Sequence, residues 1–209
     1  MDSAAAVAAV CAADPAMAEF IGRAGAFEPR SGSGDYFAAL ARSIMFQQLA
    51  GRAAAAIHAR LVTTLGGTVT PMAVLAATPE SLRAAGLSAN KAAAITDLAR
   101  KATDGTVPLA ELDQLSDDEI VERLSQVRGI GRWTAEMFLM FELRRLDVWP
   151  VDDYGVRNGW TLIHQLPALI KPKELASEGE RFRPYRSIAA WYCWQAVAIL
   201  RKPMVLPTA

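Results

Sequence analysis

Apolar residues recur at helical spacing along most of the chain, whereas the alternating pattern typical of a β-strand is nearly absent. The spacing predicts helices over 36–49, 53–65, 89–101, 117–124, 132–143 and 185–201. An apolar, alanine-rich run over 4–13 predicts one more helix, because it is too short to span a membrane and follows Asp2 rather than a basic region. The sequence therefore predicts an all-α protein of roughly ten helices with short connections.

Residue types that begin and end helices lie at the borders of these segments. Thr78, followed by proline, and Ser88 are predicted N-caps, and Ser116 with Glu119 matches a capping box. Glycines follow the expected helix ends at 66–67, 86 and 105. These local signals support the helical assignment independently of the apolar spacing.

Length and charge limit what the chain can be. Its 209 residues suffice for one large domain or two small lobes folded as a single module. We expect one lobe over about 35–145 and a second from the N-terminal segment with about 150–209, with a cleft between them for a site. Lys and Arg number 22 and Asp and Glu number 22, so any affinity for nucleic acid must come from a local face. The two cysteines and the lack of a secretory pattern favour a reducing, cytoplasmic location.

Residues 124–136 carry the most specific motif: a polar helix end, a turn with two glycines, and a new apolar helix. Gly129 and Gly131 are expected to adopt backbone conformations closed to other residues. They would let a phosphate approach the N–H groups at the start of the following helix. An ordinary tight turn between two helices would also match a lone Gly-x-Gly, so this motif indicates phosphate binding only together with other matching segments of the chain.

This hairpin resembles the helix–hairpin–helix of DNA base-excision glycosylases. Four further segments, at 42–50, 85–91, 152–154 and 183–194, extend the resemblance over most of the chain. Together they are similar to the 3-methyladenine DNA glycosylase II branch, the alkylation-repair members of the superfamily. The resemblance implies double-stranded DNA with alkylated bases as the partner, and hairpin contacts to DNA from Arg128, Gly129, Ile130, Gly131, Arg132 and Thr134.

The resemblance implies that Asp153 is the catalytic carboxylate, with Asp152 as a structural helix cap. As the base leaves, positive charge builds on the deoxyribose, and a carboxylate near C1′ would stabilise it electrostatically and orient the attacking water. An alkylated purine such as 3-methyladenine is already a good leaving group, so no general acid is needed. A structural alternative is that both aspartates only cap the helix that starts near Tyr154.

Aromatic residues are expected to hold the flipped base, because stacking and cation–π attraction suit a cationic purine. By resemblance the pocket comprises Trp133, Tyr154 and Trp194, with Phe46 and Met137 as neighbours; core packing is the alternative for each aromatic. Trp133 stands where glycosylases that also nick the backbone have a lysine, so we expect a monofunctional enzyme. Gln48 or Leu49 would fill the gap left by the flipped nucleotide, although helical spacing also suits a buried Leu49.

No cofactor is expected, apart from a Na⁺ or K⁺ ion that the resemblance allows at the carbonyls of Ser125, Val127 and Ile130. No long heptad is present, so a monomer is expected, and the chain has no room for the β-containing N-terminal domain of longer relatives. Two alternatives stay open. One is a non-catalytic DNA-binding module, and the other is a glycosylase of the same fold for hypoxanthine, 1-methyladenine or uracil.

Overall fold

The computed structural model describes residues 3–28 and 32–200, and in these ranges the chain forms helices, turns and loops without a β-strand. The α-helices are α1 (Ser3–Ala13), α2 (Pro15–Ala24), α3 (Tyr36–Phe46), α4 (Gly51–Thr64), α5 (Pro71–Ala76), α6 (Pro79–Ala84), α7 (Ala89–Thr103), α8 (Asp117–Ser125), α9 (Arg132–Phe141), α10 (Tyr154–Ile163), α11 (Pro172–Gly179) and α12 (Arg186–Leu200). Two short 3-10 helices cover Leu112–Gln114 and Glu180–Phe182. The predicted all-α class is confirmed.

The main difference from the predicted helices lies at the end of α3. The apolar spacing predicts a helix as far as Leu49, but α3 ends at Phe46. Gln47 has φ −57° and ψ 133°, and Gln48 has φ +57°, so neither residue continues a right-handed helix. Gln48 and Leu49 therefore lie in a loop between α3 and α4. The last residue of the predicted 185–201 helix, Arg201, lies outside the described residues.

The predicted helix caps are confirmed. Thr78 and Ser88 accept hydrogen bonds from the backbone N–H groups three residues later, and Ser116 with Glu119 forms the full capping box. The glycines that follow helix ends have φ between +81° and +104° at 66–67, 86 and 105, which is the left-handed region. Local sequence therefore determines where most of these helices begin and end.

The chain divides into two compact units. The hairpin unit is Ser31–Arg144, and it contains α3 to α9. Its core is made of aliphatic side chains that α3, α7 and α8 contribute, among them Leu40, Ile44, Ile95, Leu98 and Ile120, all at most 1% exposed. This packing fixes α7 next to α3 and next to the hairpin that connects α8 to α9.

The terminal unit combines Met1–Arg30 with Arg145–Ala209. Its core contains Trp160, whose ring lies 6.1 Å from Trp149 and 5.9 Å from Phe182 in edge contacts and stacks on His164 at 3.8 Å. Helices α10 and α12 cross closely at Gly159, where a Cβ atom would lie 1.8 Å from the Cys193 carbonyl oxygen. The glycine is what permits this crossing, and the crossing aligns the start of α10 with α12.

Candidate active site and nucleic-acid interface

The turn between α8 and α9 is a compact hairpin fixed by two buried side chains. Val127 and Ile130 are 2% and 3% exposed, and the Ile130 N–H donates to the Val127 carbonyl at 3.0 Å. Gly129 has φ +80° as predicted, and a Cβ atom there would touch Ala94 at 3.4 Å. The prediction that Gly131 adopts a conformation closed to other residues is wrong, because its φ of −103° is accessible to any residue. The conformational requirement for glycine therefore lies at Gly129 alone.

Gly131 is instead the N-cap of α9, and it has no side chain to cap the helix. The N-terminus of a ten-residue helix thus lacks a protein carboxylate or hydroxyl at its cap, an arrangement that suits an external anion. Thr134 is 7% exposed in the first turn. Arg132 is largely exposed, and its Nε donates to Glu136 at 2.9 Å. The role of these residues in DNA binding stays a prediction.

Helix α7 braces the hairpin through residues that sequence reasoning missed. Asp97 accepts the Arg128 backbone N–H at 2.8 Å and pairs with Lys101 at 2.8 Å. Lys101 also donates to the Gln126 carbonyl, and the Arg128 guanidinium donates to Asn90 at 3.1 Å. Burial alone would raise the pKa of Asp97, but the Arg128 and Lys101 hydrogen bonds outweigh it and hold the pKa below its ordinary value. Only the i,i+4 spacing of Asp97 and Lys101 was visible in the sequence.

The carbonyls predicted to hold a monovalent cation belong to this hairpin. Ser125 is the last residue of α8, where carbonyls lack intrahelical partners. The Val127 carbonyl accepts one hydrogen bond from Ile130 and keeps a second lone pair. Oxygen donors of this kind suit Na⁺ or K⁺, so the residues fit the ion, which stays a prediction.

The loop between α3 and α4 carries both candidates for the intercalating residue. Gln48 is exposed, and Leu49 is 38% exposed, so Leu49 does not have the burial that its helical spacing suggested. Gln47 donates from Nε2 to the Gly129 carbonyl at 2.9 Å. The loop and the hairpin are thereby linked within the hairpin unit.

The predicted base-pocket residues are distributed over both units. In the hairpin unit, Trp133 is 48% exposed on the first turn of α9, whereas Met137 and Phe46 are half-buried. The Arg42 guanidinium lies 4.3 Å above the Phe46 ring, which is a cation–π contact. In the terminal unit, Tyr154 is 60% exposed at the start of α10, and Trp194 is half-buried on α12. A high exposure of Trp133 and Tyr154 disfavours the core-packing alternative for these two rings.

Asp153 is the N-cap of α10 and is only 9% exposed. Its Oδ1 accepts the Val156 backbone N–H at 2.8 Å and the Trp194 Nε1–H at 2.9 Å. The prediction that Asp152 caps this helix is wrong: Asp152 is exposed in the preceding turn, which the Asp153 N–H closes by donating to the Pro150 carbonyl at 3.0 Å. The turn therefore brings the second aspartate, not the first, to the cap position.

Gly155 makes the contact between Asp153 and Trp194 possible. A Cβ atom on Gly155 would lie 2.7 Å from Cδ1 and 2.9 Å from Nε1 of Trp194, and 3.1 Å from Oδ1 of Asp153. Since Trp194 lies 41 residues after Asp153, this partner could not be identified from local sequence. A carboxylate oxygen of Asp153 is thus fixed by one backbone donor and one ring donor.

Comparison with known proteins assigns this arrangement to a family. Residues 41–184 match the family model described as HhH-GPD superfamily base excision DNA repair protein. The chain belongs to this superfamily. The matched range contains the α3–α4 loop, the hairpin and Asp153, so the family assignment covers most of the residues discussed above.

Individual relatives agree with the superfamily assignment. DNA-3-methyladenine glycosylase 1 of Schizosaccharomyces pombe is 39% identical over 159 residues, which are 75% of this chain and 70% of that protein. The solved structure of a 3-methyladenine DNA glycosylase from the same yeast, in complex with abasic DNA, has a TM-score of 0.82 at 32% identity and covers 95% of this chain and 98% of that one. A DNA-3-methyladenine glycosidase structure from Bacillus halodurans gives a TM-score of 0.88 at 33% identity, with 93% and 90% covered.

The helix–hairpin–helix fold predicted from sequence is therefore confirmed, as is the resemblance to the alkylation-repair glycosylases. None of the helices in the described ranges is both long and apolar enough to cross a membrane.

Proposed function

We propose that this superfamily member is a monofunctional DNA glycosylase of the 3-methyladenine glycosylase II type. It flips alkylated purines, chiefly 3-methyladenine, out of duplex DNA and excises them by hydrolysis. Water attacks C1′ of the deoxyribose and releases one proton to solvent, while the N-glycosidic bond breaks with its electron pair going to the cationic base. The base leaves as a neutral molecule, and an abasic site remains. The names of its relatives, which refer to 3-methyladenine and to abasic DNA, support this substrate class.

The observation that carries the proposal is the fixed carboxylate of Asp153. Two donors hold Oδ1 at 2.8 and 2.9 Å, and Asp153 is only 9% exposed. A carboxylate that is already oriented and largely removed from water needs little reorganisation when positive charge develops on the sugar, which is how preorganised electrostatics lower a barrier. Trp133 occupies the position of the lyase lysine, which supports hydrolysis without a Schiff base.

Hairpin residues 128–132 and the first turn of α9 would bind a backbone phosphate, and Trp133, Tyr154 and Trp194 would stack on the flipped base. No cofactor is needed for this hydrolysis. A Na⁺ or K⁺ ion would be held by the carbonyls of Ser125, Val127 and Ile130, where it supplies positive charge next to the phosphate. We propose that the protein acts as a monomer.

The competing function is a non-catalytic DNA-binding module, and one observation favours it: Asp153 does cap α10. Capping and catalysis are compatible, because accepting a hydrogen bond from a backbone N–H leaves the negative charge of the carboxylate in place. Asp153→Asn separates the two roles. Asparagine is about as good an N-cap as aspartate, so the substitution keeps the cap acceptor and removes only the charge.

The test is release of bases from methylated duplex DNA, quantified by chromatography for wild type and Asp153→Asn. We expect wild type to release 3-methyladenine and Asp153→Asn to be slower by about 10²–10³-fold, a typical loss for one electrostatic group, with DNA affinity and thermal unfolding unchanged. Equal release by both proteins would exclude Asp153 as the catalytic group. Binding without release by wild type would establish the binding-module function, and release only from oligonucleotides with hypoxanthine, 1-methyladenine or uracil would change the substrate.

The absence of lyase activity has its own test. Borohydride reduction during the reaction traps a Schiff base as a covalent protein–DNA complex, and we expect none with this protein. A trapped complex would contradict the monofunctional assignment.

A further inference from the structure

The loop that carries Gln48 and Leu49 is held in an unusual way. Gln48, Leu49 and Ala50 are all exposed, so the loop is not fixed by burial in the core. Gln48 adopts φ +57°, a left-handed conformation that is unfavourable for a non-glycine residue. Polar contacts from neighbouring elements reach the loop at Gln47, the residue before Gln48.

Lys91 of α7 supplies two of these contacts. Its Nζ donates to the carbonyl of Gln47 at 2.8 Å and also to the carbonyl of Met45. Both carbonyls lie at the C-terminal end of α3, where backbone acceptors lack intrahelical partners and a positive charge is favoured by the helix dipole. Lys91 is half-buried, and this desolvation lowers its pKa below the ordinary value for a lysine.

A second contact links the same loop to the hairpin. The Gln47 side chain donates to the Gly129 carbonyl at 2.9 Å, at the glycine whose positive φ forms the hairpin turn. Between these attachments lies an open concavity of about 390 Å³, to which Gln48, Asn90, Lys91, Arg128 and Gly129 contribute. Gln47, the first residue of the loop, is thus held through its carbonyl by Lys91 and through its side chain by the hairpin, at the edge of this polar concavity.

We propose that Lys91 is a positioning residue for base flipping: its ammonium fixes the backbone of the α3–α4 loop, so that Gln48 and Leu49 are presented to the duplex in one geometry with the hairpin. The inference rests on the proposed function, because it concerns how that site opens the DNA. A loop ordered before binding loses less conformational entropy when its side chain enters the base stack. Lys91 itself contacts neither the base nor the sugar in this mechanism.

The first measurement follows insertion into DNA without chemistry. A duplex with 2-aminopurine next to a stable abasic-site analogue reports unstacking as a rise in fluorescence. Wild type, Lys91→Met, Lys91→Arg and Lys173→Met are compared at saturating protein. Lys173 is an exposed lysine of α11 in the other unit, and its removal controls for the loss of one positive charge.

We expect Lys91→Met to lose most of the fluorescence rise. Lys91→Arg should keep most of it, because a guanidinium can also donate to the two carbonyls. Lys173→Met should match wild type. Affinity for undamaged duplex should change by less than about threefold, since the loop inserts only at the opened site. Gln47→Ala removes the second attachment and should lower the same signal, which provides an independent variant if Lys91→Met folds poorly.

The second measurement is a mutant cycle on the single-turnover excision rate. Lys91→Met should slow excision about tenfold in the wild-type background and less than about twofold in a variant whose Gln48 and Leu49 are both alanine. The reason is that the effects of substitutions on the rate are not additive when the residues act through the same element. An equal loss in both backgrounds, or wild-type fluorescence from Lys91→Met, would overturn the proposal. If wild type excises nothing, the proposed function fails, while the fluorescence comparison still decides the role of Lys91.

Discussion

The contact between Asp153 and Trp194 depends on the missing side chain of Gly155, and Gly155→Ala tests whether that contact sets the excision rate. The added methyl group would lie 2.7 Å from Cδ1 of Trp194. To restore an ordinary separation of about 3.5 Å, the indole must move by about 0.8 Å. If the indole moves away from Asp153, the 2.9 Å hydrogen bond from Nε1 to Oδ1 lengthens beyond hydrogen-bonding distance.

Two magnitudes follow from this displacement. Losing a hydrogen bond to a charged group costs about 1.5–3 kcal/mol, and alanine in place of a helical glycine stabilises the helix by about 0.5–1 kcal/mol. The net loss of unfolding free energy is therefore about 0.5–2.5 kcal/mol. Because a misplacement of about 1 Å at a reacting centre costs about 10²-fold in rate, we expect excision to slow by about 10- to 100-fold.

The assay is single-turnover excision at a temperature well below unfolding, together with urea unfolding of the same preparations. Gly22→Ala is the matched control: it lies in α2 with nothing within 4 Å of the added Cβ atom, so it should gain about 0.5–1 kcal/mol with unchanged excision. If Gly155→Ala excises as fast as wild type, the orientation of Asp153 by Trp194 does not contribute to catalysis, and the argument from the fixed carboxylate is refuted.

Two further predictions concern the stability of the terminal unit. Gly159→Ala would bring a Cβ atom to 1.8 Å from the backbone oxygen of Cys193, so α10 and α12 would have to separate. We expect the free energy of unfolding in urea to fall by more than about 4 kcal/mol. A decrease below about 1 kcal/mol would contradict the close crossing of the two helices. Burial would raise the pKa of Asp14, but the Met17 N–H and the interactions with His164 and Arg181 outweigh it and lower that pKa. The stabilisation that ionised Asp14 contributes is therefore complete above the unfolded pKa of about 3.9 and is lost as the pH falls through the lower folded pKa. We expect the free energy of unfolding, measured with urea, to fall more steeply below pH ~4 in wild type than in Asp14→Asn.

Local signals in the sequence were sufficient for the helices and their caps. Ser116 and Glu119, for example, form a capping box through contacts only three residues apart. The resemblance identified the hairpin, and the positive φ of Gly129 agrees with the glycine argument. Helix caps and glycine turns are formed by residues close together in the chain, so they can be recognised in a single sequence.

Contacts between distant segments could not be predicted in the same way. Asp152 and Asp153 are equally good N-cap residues by type, and the turn closed by Pro150 decides between them. Lys91 lies in the 85–91 segment that carries the resemblance, but its role could not be identified from the sequence, because its carbonyl partners lie 44 and 46 residues earlier. The early end of α3 was also hidden, since Leu49 continues the apolar spacing of the helix.

The terminal unit is assembled from both ends of the chain, and this has a consequence for biosynthesis. Helix α2 packs against α12, so α2 lacks this neighbour until residues as far as α12 have left the ribosome. The hairpin unit, Ser31–Arg144, is continuous and can form earlier. A nascent chain would thus complete the hairpin of α8 and α9 before Asp153 and α12 are available to fold, so the proposed DNA-binding element would form before the proposed catalytic one.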